Sequence, residues 1–302
     1  MAQLRIRGVY PAAPTPLTPD LTPDPAILAA HCRGLIEAGC DGISVLGTTG
    51  EANSFSVQER MALLEGLVEA GIPASRLVPG TGCAALTDTV ALTRHAVGLG
   101  VAAVLMLPPF YYKDVTVEGL EASYQAVIDR VGDPRLRILL YHIPPVAHVP
   151  IPFELIERLL ARHAETVVGI KDSSGQPQHI LDLATRFPGF SVFAGADPLL
   201  LPLMKAGGAG AITAISNLVP SDVVTIHRRF DDPAVTAEVE EAHSRLTALR
   251  ALMQERPQIA AIKEELARRT GEDAWSRLRP PLRPLSGMER ESLFEALGGL
   301  LP

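Results

Sequence analysis

The sequence predicts an α/β fold: a (β/α)8 barrel of the TIM type over residues 1–231, followed by a small helical appendage over residues 232–302. Short apolar runs alternate with segments of helical periodicity, the pattern of parallel βαβ units whose crossover helices cover both faces of a sheet. Eight such runs can be read, and the chain is long enough to close them into a barrel. An open dinucleotide-binding sheet would carry a glycine fingerprint after its first strand; here the first run leads into Pro14-Thr15-Pro16.

The runs follow one another as Gly8 to Ala13, Gly42 to Leu46, Arg76 to Gly80, Ala102 to Leu107, Arg137 to Tyr141, Val167 to Lys171, Ser191 to Ala194 and Gly210 to Thr213. Apolar residues at helical spacing predict helices after each of them: Pro25 to Ala38, Val57 to Ala70, Leu86 to Leu99, Val117 to Arg130, Phe153 to Arg162, Gln178 to Arg186, Pro198 to Ala206 and Ser221 to Phe230. Beyond Asp232 the strand signals stop. Helices are predicted over Val235 to Gln254, Ile259 to Arg269 and Met288 to Gly298, and the proline-rich stretch from Arg279 to Pro284 crosses the surface between the last two.

Composition narrows the function classes. The 302 residues are 47% hydrophobic and 20% charged, as expected of a globular chain with a large core. A formal charge of −7 provides no basic field for a phosphate backbone or an anionic membrane, so neither nucleic acid nor membrane is expected as a partner. The start, MAQLRIRGVYPAAP, lacks an apolar signal core, and no apolar run approaches the length of a membrane span, which predicts a cytoplasmic protein. Cys32, Cys40 and Cys83 include no CxxC pair and are expected as small buried thiols. The eight histidines show no HxxxH or HEXXH spacing, so no metal is implied.

In a barrel, ligands bind at the carboxyl ends of the strands, which directs attention to polar residues there. Lys171 follows an apolar stretch, two positions after Gly169 on one strand face. An ammonium there loses water, which favours the free amine that attacks a carbonyl; the alternatives are a lysine that snorkels out of the mouth or pairs with Asp172. Tyr141 ends the neighbouring strand, where a phenol either shuttles a proton to a group on Lys171 or merely packs. Gly47-Thr48-Thr49-Gly50 offers hydroxyls and free backbone amides suited to a carboxylate or phosphate, although such turns also connect strands to helices without a ligand. Phe110-Tyr111-Tyr112 adds aromatic surface at the same rim, as loop packing, a lid or a subunit contact.

The motifs GTTGE, PPFYYK, YHIPP and GIKDSSG, in this order and spacing, resemble the dihydrodipicolinate synthase and N-acetylneuraminate lyase family. The resemblance runs along nearly the whole chain and includes Ala194-Gly195-Ala196-Asp197 and the run from Gly210 to Asn217 as the seventh and eighth strand ends. It implies a class I aldolase or lyase in which Lys171 condenses with the 2-keto group of pyruvate or a related 2-oxo acid. Tyr141 would be the acid/base. Thr48 and Thr49 would hold the pyruvate carboxylate and link Tyr141 to Tyr112, a residue that in many members is lent by a neighbouring subunit, implying a dimer-based homotetramer. Gly195 and Ile212 would line the pocket with backbone atoms. The protonated imine is itself the electron sink for carbon–carbon cleavage, so no metal or organic cofactor is required.

The departures narrow the substrate. Synthases of the family resemble YNxPxR after the fifth strand, where an arginine gathers the carboxylate of the incoming semialdehyde; here Val146 stands in its place. His148, Lys113 and Arg283 are the sequence's other candidates for that carboxylate. Sialic acid lyases usually show GSTGE, and KDSSG resembles members acting on 2-keto-3-deoxy sugar acids. The leading expectation is therefore a pyruvate-type aldolase making or breaking a carbon–carbon bond to an aldehyde. The alternatives are dihydrodipicolinate synthesis proper, a dehydratase or deaminase using the same imine, and a non-catalytic 2-oxo acid binding protein. The intact lysine, tyrosine and threonine set argues against the last.

Overall fold

The computed structural model describes residues 5–301. Six strands form one all-parallel sheet: β1 (Gly8–Val9), β2 (Val104–Met106), β3 (Ile138–His142), β4 (Val167–Asp172), β5 (Ser191–Ala194) and β6 (Gly210–Ala211), in the order β1-β6-β5-β4-β3-β2. The two remaining predicted strands, Gly42 to Leu46 and Arg76 to Gly80, are reduced to isolated parallel bridges, Ala12 to Ser44, Ile43 to Leu77 and Gly80 to Leu105. Those bridges still complete the circuit from β1 round to β2, so the sheet closes into an eight-segment barrel. The ladder is thin there because Pro11 and Pro79 have no N–H to donate: Ser44 N–H bonds to Pro11 O and Leu105 N–H to Pro79 O, both at 2.9 Å, with return bonds from Ala13 and Thr81, but the prolines cannot extend the pairing by a further step.

Helices lie outside this circuit, α1 (Pro25–Glu37), α2 (Val57–Glu69), α3 (Leu86–Leu99), α4 (Val117–Val131), α6 (Phe153–His163), α7 (Pro177–Arg186), α8 (Leu200–Lys205) and α9 (Pro220–Arg229), while the short α5 (Pro144–Ala147) sits at the mouth after β3. Their starts follow local chemistry. Asp24 accepts from the backbone N–H groups of Ala26 and Ile27 to cap α1, and Ser56 with Glu59 closes a capping box on α2. The predicted helix from Pro198 to Ala206 is instead a 3-10 turn over Asp197–Leu199 leading into the short α8, and α5 is a turn of helix that periodicity did not reveal. Three further helices follow, α10 (Thr236–Gln254), α11 (Gln258–Thr270) and α12 (Gly287–Leu297), with the stretch from Arg279 to Pro284 between the last two.

Alternation along the strands divides the core in two. Leu105, Leu139, Tyr141, Phe193 and Ile212 point into the barrel, where Tyr10 meets Phe193 edge-on at 5.9 Å. Ile138, Leu140, Ile170 and Val192 point outward against the helices. Cys32 and Cys40 are buried as expected, whereas Cys83 is only half-buried and receives a hydrogen bond from Arg60. Among the described residues no helix is long and apolar enough to cross a membrane. The first four residues of the start that was read for a signal core lie outside the described residues.

Candidate active site

Parallel pairing of β3 with β4 places Tyr141 beside Lys171, and β5 places Phe193 on the other side of the lysine. Lys171 is buried, with 5% of its surface exposed, so it does not snorkel into solvent. Nor does it pair with Asp172, whose carboxylate accepts from the Ser174 N–H at 2.7 Å and is hydrogen-bonded to His179 Nδ1 at 2.9 Å. Gly169 is required below the lysine: a Cβ there would sit 2.3 Å from the Ser191 carbonyl oxygen. The lysine Nζ lies 4.3 Å from the centre of the Tyr141 ring, and Thr48 Oγ1 lies 3.4 Å from the Tyr141 hydroxyl. Burial alone would raise the pKa of that phenol; the neighbouring Lys171 charge and hydrogen bonds with Thr48, Lys171 and Ser173 outweigh it and hold the pKa below the ordinary tyrosine value.

The loop carrying Thr48 and Thr49 is held from beneath. Leu46 and Glu51, at its two ends, adopt left-handed backbone conformations with φ of 57° and 56°. Glu51 is buried and ion-paired at 2.6 Å with the equally buried Lys263 of α11, which also donates to the Thr15 carbonyl at 2.8 Å. Glu51 closes the GTTGE motif, and nothing local in the sequence indicates its partner more than 200 residues away. Lys263→Met is expected to destabilise the fold by about 3–5 kcal/mol, the cost of leaving one buried charge alone, with partial recovery in the Glu51→Gln/Lys263→Met double variant. Urea unfolding checks this, and a loss below about 1 kcal/mol would contradict it.

Around the lysine opens a pocket of about 270 Å³. Its floor is Lys171, Tyr141, Thr48, Thr49 and Gly195, with Ser173 and Ser174 at one side. A Cβ on Gly195 would lie 2.0 Å from Ser173 Oγ, so glycine keeps both the pocket wall and the serine in place. A larger hollow of about 460 Å³ lies between α1 and α11 over Trp275, but its basic groups are committed elsewhere: His31 Nε2 to Asn217 at 2.9 Å, and Arg269 to Glu265 and the Leu218 carbonyl. The site lies where the nucleophile and the phenol meet. Behind β4, His142, Asp172 and His179 offer ligand atoms within 4.8 Å of one another. The two imidazoles are stacked with planes 23° apart, so their in-plane lone pairs run side by side and do not converge on one ion, and His142 Nδ1 already accepts from the Ile151 N–H. Burial pushes the His142 pKa down to about 4.

This floor, at the carboxyl ends of β3 and β4, is matched along the sequence as well. The model of the dihydrodipicolinate synthetase family matches residues 5–299. The chain belongs to this family. Membership makes it an enzyme of the lyase class, and the general reading as a class I lyase or aldolase stands. An uncharacterized DapA-like lyase of Chloroflexus aurantiacus is 40% identical over 291 residues, 96% of this chain and 95% of the relative. A 4-hydroxy-tetrahydrodipicolinate synthase of Sorangium cellulosum is 33% identical over 299 residues, covering 98% and 97%. Among solved structures, the dihydrodipicolinate synthase of Agrobacterium tumefaciens superposes with a TM-score of 0.89 at 32% identity over 97% of this chain and 99% of that one. A prophage protein of E. coli, solved in complex with pyruvate, gives 0.88 at 26% identity, covering 97% and 98%.

Against this family frame, five of the seven residues singled out in the sequence, Lys171, Tyr141, Thr48, Thr49 and Gly195, line one pocket. Two do not. Tyr112 is 73% exposed and packs edge-on against Tyr111 at 5.2 Å, away from the pocket lining. Ile212 is fully buried inside the barrel with its N–H bonded to the Ala194 carbonyl, and Ala214, two residues on, lines the pocket in its place. Val146 does reach the rim. Of the candidates for a second carboxylate, Lys113 donates to the carbonyls of Phe110 and Ala147, Arg283 pairs with Glu289, His148 is exposed, and none lines the pocket. The sequence reading missed Arg250, Gln254 and Gln258, which reach the mouth from α10 and α11.

Proposed function

We propose that this family member is a pyruvate-dependent class I aldolase, forming an imine between Lys171 and pyruvate and making or breaking the bond from the pyruvate C3 to an aldehyde. The observation that carries it is the buried, carboxylate-free Lys171 lying against Tyr141, itself within reach of Thr48. The free amine adds to the 2-keto carbon, the carbinolamine loses water, and the protonated imine accepts the electron pair released when a C3 bond breaks. Tyr141 moves the proton between the departing or arriving oxygens and Thr48; Thr48 and Thr49 hold the substrate carboxylate. No cofactor enters this chemistry.

We assign residues 1–231 to the barrel and 232–302 to a helical appendage whose helices α10 and α11 roof the site. The exposed Tyr111-Tyr112 pair suits contact with a second copy, in which Tyr112 would complete the relay from Tyr141 in a dimer-based homotetramer acting in the cytoplasm. Pyruvate release from a panel of 4-hydroxy-2-oxo acids tests the activity, and release from none of them would contradict it. In the synthetic direction, condensation of pyruvate with aspartate semialdehyde is expected to be slow or absent, since Val146 provides no donor at the rim. Efficient turnover at a low semialdehyde KM would contradict this.

A further inference from the structure

The roof of the pocket carries donors without partners. Arg250 and Gln254 are one turn apart on α10, beside Leu249 and Met253, which anchor that helix in the core. Gln258 opens α11 at the same mouth. Arg250 Nε and Gln258 Nε2 are both buried without a hydrogen-bond partner, and no ion pair to the Arg250 guanidinium is found among the described residues, although most arginines of this chain hold a carboxylate or a backbone carbonyl. Buried donors left open at the mouth of a pocket are satisfied by a ligand that brings acceptors. Asp197, which feels the Arg250 charge, is buried, and burial raises its pKa against the pull of Thr213, Arg250 and Lys171.

We propose that Arg250, with Gln258, is the specificity-determining group of the pocket and selects an aldehyde whose far end bears an oxyanion, carboxylate or phosphate. This rests on the imine reading of Lys171. The pocket volume of about 270 Å³ limits the partner to a short chain once pyruvate is in place. Arg250 enters from α10, whereas Val146 follows β3, so the anion is met at a different part of the rim from the one that the synthases' arginine occupies.

The test compares kcat/KM in aldol addition to pyruvate for two matched pairs, glyceraldehyde 3-phosphate against glyceraldehyde and succinic semialdehyde against butanal, in the wild type, Arg250→Leu and Arg250→Lys. The wild type is expected to prefer the anion of at least one pair, the two pairs separating phosphate from carboxylate. Arg250→Leu is expected to lower that preference about 10-fold to 100-fold, the range of a hydrogen bond to a charged group, chiefly through KM. Arg250→Lys, which keeps charge but loses the fork, falls between. Borohydride trapping of pyruvate on each variant keeps the two readings apart. Adduct in all three proteins with no anionic preference in the wild type, or with a preference unmoved by Arg250→Leu, overturns this proposal alone. No adduct even in the wild type overturns the imine reading and this proposal with it.

Discussion

Lys171→Ala is expected to lower turnover by a factor on the order of 10⁴ or more, the scale on which loss of a covalent nucleophile is felt. The reason is geometric as well as chemical. Among the described residues, the only amine lining the pocket with Tyr141 and Thr48 is that of Lys171, and the other buried lysine, Lys263, is committed to Glu51 and the Thr15 carbonyl. Stability should change little, because the Lys171 ammonium makes no ion pair with a carboxylate among the described residues whose loss would strand a charge. Thermal unfolding of the variant within a few degrees of wild type, together with lost pyruvate release, is the expected pair of results. Retained turnover would assign the chemistry to a different group.

Tyr141→Phe separates proton transfer from packing. The ring is buried inside the barrel beside Lys171, and phenylalanine keeps its volume. If the hydroxyl contributes only its contact with Thr48, one neutral hydrogen bond of about 0.5–1.5 kcal/mol is lost, and the rate falls by roughly tenfold at most. If it carries the proton, the loss is about 100-fold to 10,000-fold in kcat. The second outcome is expected, because Lys171 and its hydroxyl neighbours hold the phenol more acidic than an ordinary tyrosine despite its burial. Single-turnover kinetics should show the imine still forming, more slowly. A kcat within tenfold of wild type would leave Tyr141 a packing residue.

What the sequence discloses follows from what each signal measures. Alternating strand and helix patterns are local, so the barrel and its helices were readable, and so were the strand ends carrying Lys171, Tyr141 and the Thr48-Thr49 turn. The second and third strands were placed correctly and overstated as ladders, because an apolar run does not show that Pro11 and Pro79 leave their neighbours with single bridges. Ile212 was set at the pocket because motif position does not resolve a two-residue step along a strand end, the step that brings in Ala214. Tyr112 was given a catalytic place through resemblance, and in the single chain it stands exposed. Arg250 was invisible for a different reason. Helical periodicity identifies the buried stripe of α10 through Val239, Ala242, Leu246, Leu249 and Met253, but which polar flank of that stripe overhangs the barrel mouth is decided by tertiary packing alone. The Glu51–Lys263 pair is likewise a long-range fact with no local trace.

The most direct test of the imine is borohydride reduction of the wild-type protein with pyruvate, followed by peptide mass mapping. The account predicts one adduct, on Lys171, because a reduced imine is a stable secondary amine while a ketone held only by hydrogen bonds leaves no covalent mark. An adduct on another lysine, or no adduct at all under conditions where pyruvate saturates the site, would contradict it.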